Sequence, residues 1–219
     1  MQLYIAYKNY SSWSLRPWIA LKVAGIPFEE ILLPFAHNSA LKDLAATYQL
    51  PARVPVLKDG DQVIWDSLAI LEYLAESFSD RQLWPEDKGL RALARCAAAE
   101  MHSGFPALRS AFPMNCRVQK QAKASPEVTA ELHRLAIIWE QFASIDKPSG
   151  PFLCGHFSIV DAMFAPVMWR VRGYGLTVSP AFAHWSQALY ELPDMQQWLA
   201  SAEQEEWVIE SYERAGEQQ

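Results

Sequence analysis

Three short clusters have residue types and spacings that suit a definite chemistry. Serines at 11, 12 and 14 crowd one passage, Ser11-Ser12-Trp13-Ser14. It reads as a helix start, where hydroxyls cap free N–H groups and the partial positive charge holds anions. Asp66-Ser67 opens another apolar-periodic segment and offers the same combination. The third cluster is Arg53-Val54-Pro55-Val56. A proline at the head of a strand that should be interior marks an edge or a strained turn. The backbone groups of Val54 are then left to pair with an extended, peptide-like ligand. Taken singly, the first two are also ordinary caps and the third an ordinary edge proline. Taken together, they suit a small ligand with carboxylates and a peptide-like middle.

The elements that position these clusters alternate. Leu3–Tyr7 reads as a buried strand, and a loop at Lys8, Asn9 and Tyr10 follows. The next helix has Trp18, Ile19, Val23 and Ile26 on its apolar face and ends at Gly25. Pro17 is tolerated only in a first turn, which places the cap at Ser12 to Ser14. Phe28–Leu33 reads as a strand, Ser39–Tyr48 as a short helix, and Val54–Leu57 and Gln62–Trp65 as strands joined by an Asp59-Gly60 hairpin. Ser67–Phe78 closes the half as a helix. The order βαβαββα predicts a four-stranded mixed sheet with helices packed on it.

A polar stretch, residues 79–87, reads as a linker between a domain at 1–78 and a second one at 88–219. In the second, strand signals vanish. Helices are predicted over Gly89–Met101, Pro126–Ile145, Ile159–Val171, Ala181–Tyr190 and Asp194–Glu203. Pro106 is expected to kink the first of them. Ser158-Ile159-Val160-Asp161 has the form of a capping box, in which Asp161 reaches back to the Ser158 N–H.

Composition narrows the classes. The 219 residues are 51% apolar and 12% aromatic, enough to bury a real core. Nineteen basic against 25 acidic side chains leave a charge of −6, and no basic stripe suits nucleic acid or anionic lipid. Six Glu and one Arg fall between Ala200 and Gln219, which reads as a solvated acidic tail. Cys96, Cys116 and Cys154 are scattered, and the histidines at 37, 102, 133, 156 and 184 make no i,i+4 pair, so no metal site is expected. The first residues lack a secretory pattern, and no long apolar window appears. These features imply a soluble, cytoplasmic protein.

Tyr10-Ser11-Ser12-Trp13-Ser14-Leu15-Arg16, Arg53-Val54-Pro55-Val56-Leu57 and Asp66-Ser67-Leu68-Ala69-Ile70-Leu71-Glu72-Tyr73-Leu74, in that order and followed by a helical half, resemble the cytosolic glutathione S-transferase superfamily. The resemblance implies a thioredoxin-like domain that binds glutathione as co-substrate, a detoxifying transferase activity and a homodimer. It makes Val54-Pro55 a cis bond and pairs the Val54 backbone with the cysteinyl part of glutathione. Ser67 would take the γ-glutamyl carboxylate and Asp66 its ammonium, with Trp13 and Arg53 alongside. A serine would hydrogen-bond the sulfur, favouring the attacking thiolate. Laid against the zeta class, with its S-S-C-x-x-R loop, Ser11 takes that place. Laid against other serine classes, Ser12 does. Trp13 stands where zeta has cysteine, which departs from the zeta isomerase pattern, and Tyr7 and Tyr10 stay open as alternatives. A small hydrophobic electrophile would lie between the domains against Tyr10, Met101, His102, Phe105 and Arg109, with Phe112 and Met114 beyond. A zeta-like isomerase and a non-catalytic regulatory protein of the same fold are the alternatives.

Overall fold

The computed structural model describes residues 1–34 and 39–217. His37, one of the five histidines, lies outside them, as do Gln218 and Gln219. In the first half, β1 (Gln2–Ile5), α1 (Ser12–Val23), β2 (Glu29–Leu32), α2 (Ser39–Tyr48), β3 (Val56–Asp59), β4 (Gln62–Trp65) and α3 (Ser67–Ser77) follow in the predicted order. The sheet runs β2-β1-β3-β4. β1 pairs parallel with β2, Gln2 opposite Glu29, and antiparallel with β3, which pairs antiparallel with β4. This is the expected mixed sheet. Gly60 supplies φ 56° in the β3–β4 hairpin, a left-handed value that glycine adopts without steric cost.

The strands are shorter than the apolar runs, for local reasons. Past Ile5 the chain turns, and the N–H groups of Tyr10 and Ser11 both bond to the Tyr7 carbonyl. β3 begins at Val56 rather than Val54, since Pro55 has no N–H to give a ladder. The Val54–Pro55 peptide bond is cis.

α1 is the hinge of the architecture. It is buried from Ser14 to Leu21, packed against α3 on its own side and against α7 (Ile159–Gly173) and α9 (Pro193–Glu203) across the molecule. Its cap falls one residue before the predicted window. Ser11 Oγ accepts the Ser14 N–H, so Pro17 lies inside the helix and not in its first turn. The Trp13 carbonyl thereby loses the i→i−4 donor that a non-proline residue would supply.

The second half is helical: α4 (Lys88–Ser103), α5 (Pro106–Ala111), α6 (Pro126–Ala143), α7, α8 (Pro180–Tyr190), α9 and α10 (Glu210–Glu213). A 3₁₀ turn, Ser79–Arg81, precedes them. Pro106 does not kink α4. The helix ends at Gly104, and Pro106 starts α5, where its missing N–H costs nothing. Gly104 is required there, because a Cβ would sit 2.7 Å from the Glu100 carbonyl oxygen. Glu131 of α6 then accepts the free Ala107 and Leu108 N–H groups of α5.

The capping box forms. Buried Asp161 accepts from the Ser158 N–H at 2.9 Å and hydroxyl at 3.1 Å, and also from the Leu153 N–H and Trp185 Nε1. α7 is buried almost throughout and forms the centre of one core shared by both halves. No helix among the described residues is long and apolar enough to cross a membrane.

The acidic tail departs most from expectation. Glu203, Glu206, Glu210 and Glu217 are exposed, but the segment is docked and not free. Trp207 stacks on Tyr7 with ring centroids 4.7 Å apart, and Glu205 and Glu213 bond to the loop before α1. Charge counting missed the two aromatic anchors, Trp207 and Tyr212, and the unpaired loop donors that carboxylates can satisfy.

Candidate active site

Between the N-terminus of α1 and the α4–α5 junction lies a cavity of about 440 Å³. Tyr10, Ser11, Ser12, Trp13 and Arg109 line it, with Ser103, Ser110 and Arg170. Ile209 and Tyr212 of the tail complete the wall.

Ser11 is buried, with its Oγ 2.7 Å from Ser14 Oγ. Ser14 Oγ in turn accepts the Ala6 N–H. Either hydroxyl can donate in the serine pair. With Ser14 donating, the Ser11 O–H is left to point at a ligand, polarised by the bond it accepts. Ser12 is the more exposed of the pair. Tyr10 lines the cavity, but its hydroxyl is engaged: it donates to Glu213 and accepts from Arg117. Burial and Glu213 raise its pKa, so the phenol stays protonated.

Trp13 carries two guanidinium groups on its ring, Arg16 at 4.3 Å and Arg109 at 4.7 Å. Arg16 is almost wholly buried, donating from Nε to the Met163 carbonyl and from Nη1 to Ser67 Oγ. Thus the first loop and the α3 N-terminus are joined by one arginine. Burial and the nearby Arg109 and Arg170 push Arg16 down to about 9. Burial, then Arg109, pushes Arg170 down to about 10. Arg16 and Arg170 both stay charged at neutral pH. Arg170 donates Nη1 to the Pro166 carbonyl, and its buried Nε has no partner among the described residues.

Asp66 caps α3. Its Oδ1 accepts from the Leu68 and Ala69 N–H groups, and the residue is held at φ 73°. A non-glycine residue there is strained, a state found disproportionately at ligand sites. Its Oδ2 lies 3.2 Å from His102 Nε2. His102 also meets the edge of Trp13 at 5.4 Å, and its buried Nδ1 has no partner among the described residues.

The predicted residues therefore separate into groups. The cavity brings together Tyr10, Ser11, Ser12, Trp13 and Arg109. Asp66, Ser67, Val54, Pro55 and Arg53 are not in its wall, and Arg53 is exposed. His102 is not in the cavity wall; its ring lies between Asp66 and the edge of Trp13. Met101 and Phe105 are core, not pocket. Met101 continues the buried stripe of Leu90, Ala94, Ala97 and Ala98, and Phe105 packs inward from the break after α4. Phe112 and Met114 are buried in the same core.

Arg16 and Arg170 were missed as site residues. Their signal was weak but present: each falls in an apolar run, Leu15-Arg16-Pro17-Trp18 and Met168-Trp169-Arg170-Val171, although Arg172 follows closely on the second. Residues almost never buried unless paired deserve a partner or a ligand. Burial raises the thiol of Cys116, and that of Cys154 to about 12. Neither is a thiolate at neutral pH. Among the described residues no group of three or more His, Cys, Asp or Glu could hold a metal ion. A larger cavity of about 1030 Å³, by α7 and α8, contains none of the predicted residues.

A family model described as the N-terminal domain of glutathione S-transferase matches residues 10–77. A probable maleylacetoacetate isomerase from Caenorhabditis elegans is 30% identical over 185 residues, covering 81% of this chain and 82% of the relative. Glutathione S-transferase 1 from Dianthus caryophyllus is 29% identical, covering 82% and 81%. Among solved structures, a Burkholderia (BGR1) glutathione transferase homologue with bound glutathione superposes with a TM-score of 0.67 at 24% identity, covering 92% of this chain and 97% of that one.

Proposed function

This chain belongs to the glutathione S-transferase superfamily, and on that premise we propose that it binds glutathione across the α1 and α3 N-termini and ionises its thiol for attack on an electrophile. The observation that carries the reading is the pairing of two helix N-termini through Arg16 and Ser67, with Ser11 and Ser12 in the wall of a cavity. The α3 N-terminus and Ser67 take the γ-glutamyl carboxylate, Asp66 takes the ammonium beside His102, and the Val54 backbone pairs with the cysteinyl unit. Trp13 and Arg53 flank the tripeptide. The sulfur then faces Ser11 and Ser12.

Chemically, the thiol gives its proton to solvent, and a serine hydroxyl donates to the sulfur anion that remains. A free thiol ionises near ~8.5, and each unit of depression requires about 1.4 kcal/mol of preferential thiolate stabilisation. One hydroxyl donor beside a helix N-terminus supplies that order of energy. The thiolate adds to an electrophilic carbon, and the displaced electron pair leaves with the leaving group or is protonated. The electrophile occupies the cavity, its apolar body against Trp13 and an acidic group toward Arg109 and Arg170. Isomerisation of an acidic alkene by addition and elimination of the same thiolate is the second reading, favoured by that cationic wall. It consumes no glutathione, which distinguishes the two. The protein acts in the cytoplasm, as a homodimer.

Calorimetric titration with glutathione tests the binding claim. Saturable binding that weakens about tenfold in Ser67→Ala is expected, the loss of about 1.4 kcal/mol from one hydrogen bond to a charged group. Absence of binding at millimolar glutathione would overturn it.

A further inference from the structure

Residues 203–217 make contacts that neither a solvated end nor a simple lid would need. The loop from Tyr7 to Ser11 presents two successive N–H groups, those of Lys8 and Asn9, away from the sheet. The Glu205 carboxylate accepts both, at 2.7 and 3.0 Å, across nearly the full length of the chain. Asn9 is fully buried, so its N–H has no water to fall back on. Arg117 locks the arrangement. It donates Nη1 to the Glu205 carbonyl and Nη2 to the Trp207 carbonyl and the Tyr10 hydroxyl, while its own N–H bonds to Asn9 Oδ1. Glu213 accepts from Tyr10 and from Asn115 Nδ2. Tyr7, Lys8, Asn9 and Tyr10, the four residues before the first serine, are thus each touched by this segment or by Arg117 that it holds. Ser11 and Ser12 follow directly, bonded to the Tyr7 and Tyr10 carbonyls, while the Cys116 N–H and thiol hold the Asn9 and Lys8 carbonyls on the other side of the same loop.

We propose that Glu205 is a positioning residue for thiol activation: by accepting the Lys8 and Asn9 N–H groups it fixes the loop that aims the serine hydroxyl at sulfur. The proposal rests on the glutathione reading above. Glu205 is not in the wall of the candidate active-site cavity. Its effect therefore appears in the chemical step and not in affinity. Removing one acceptor lets the loop sag, the hydroxyl drifts from the sulfur, and the thiolate loses its donor. A serine misplaced by a fraction of an ångström suffices, since positioning errors on that scale are costly to catalysis.

The test is Glu205→Gln in the full chain, which keeps shape and one acceptor oxygen but sets an amide NH2 against a backbone N–H. Four readouts are taken: kcat, KM for glutathione, the acid limb of the kcat–pH profile, and hydrogen exchange at the Lys8 and Asn9 amides. The expected result is a fall in kcat of about tenfold with KM for glutathione within about twofold, an acid limb moved to higher pH, and faster exchange at both amides. Glu213→Gln, at a partly exposed carboxylate that holds the loop through the Tyr10 hydroxyl alone and not through its backbone, should show the same pattern more weakly and guards against a variant that fails to fold. An unmoved acid limb and wild-type kcat, with faster exchange or a lowered Tm alone, would reduce Glu205 to a structural brace and overturn the proposal. A wild-type protein that itself fails to bind glutathione would instead remove the underlying reading, and the proposal with it.

Discussion

Ser11 and Ser14 act as a unit. Their oxygens are 2.7 Å apart, and Ser14 also accepts the Ala6 N–H, so the outward hydroxyl depends on the inner one. Ser14→Ala is therefore expected to reproduce part of the Ser11→Ala defect, raising the pKa of bound glutathione. It should also lower Tm, because the buried Ala6 N–H loses its acceptor at a cost of about 1–3 kcal/mol. Thiolate absorbance and thermal unfolding measured on the same variant separate the two effects. A normal thiol pKa in Ser14→Ala would show that Ser11 works alone. The serines, Asp66 and Ser67 were legible in sequence because caps have a local signature. Arg16 and Arg170 left only a weak signal, a charge in an apolar run, because a buried arginine is recognised by what surrounds it in space. His102 and Met101 are adjacent in sequence, yet one meets Asp66 and the other the core. Only the helix phase, fixed by packing, distinguishes them.

Elements bounded by strong local chemistry were readable to the residue. Ser39–Tyr48 and Gln62–Trp65 are found as predicted, and the capping box at α7 forms as its spacing suggests. Elements decided by longer-range demands were not. α5 depends on Glu131, a residue of the next helix, to satisfy its first N–H groups. The tail depends on a loop almost two hundred positions earlier. For the box, Asp161→Asn replaces a carboxylate that receives four donors, one of them the Trp185 indole. The expected loss is about 2–4 kcal/mol, seen as a lower urea midpoint with unchanged slope. A variant within experimental error of wild type would mean that the amide satisfies the same donors.

At the scale of the whole molecule, three arginines from three elements converge between the halves: Arg16, Arg109 and Arg170. The two most buried have folded pKa values of about 9 and about 10, below the ordinary 12.5. For a base shifted down, the folded state binds fewer protons than the unfolded one between those values, so stability rises with pH there. Below about 9 both are charged and the penalty is complete. An anion that enters at neutral pH relieves it. Low millimolar sulfate should therefore raise Tm by more than chloride at equal ionic strength, and Arg170→Met should remove most of that difference. Equal shifts in wild type and variant would assign the effect to general salting rather than to this cluster. The strand order β2-β1-β3-β4 is read from the structure, whereas the βαβαββα element order and the four-stranded mixed sheet followed from periodicity and turn signals. The interior positive charge did not, because it exists only once α1, α5 and α7 are brought together.

The most direct test is the ultraviolet titration of the thiolate in the glutathione complex. In the wild type the bound thiol is expected to ionise at least about one unit below the free value of ~8.5, and substitution of Ser11 or Ser12 by alanine, whichever contacts sulfur, should return it toward that value with little change in affinity. A bound thiol that titrates like free glutathione in the wild type, or one whose depression survives both substitutions, would contradict the account.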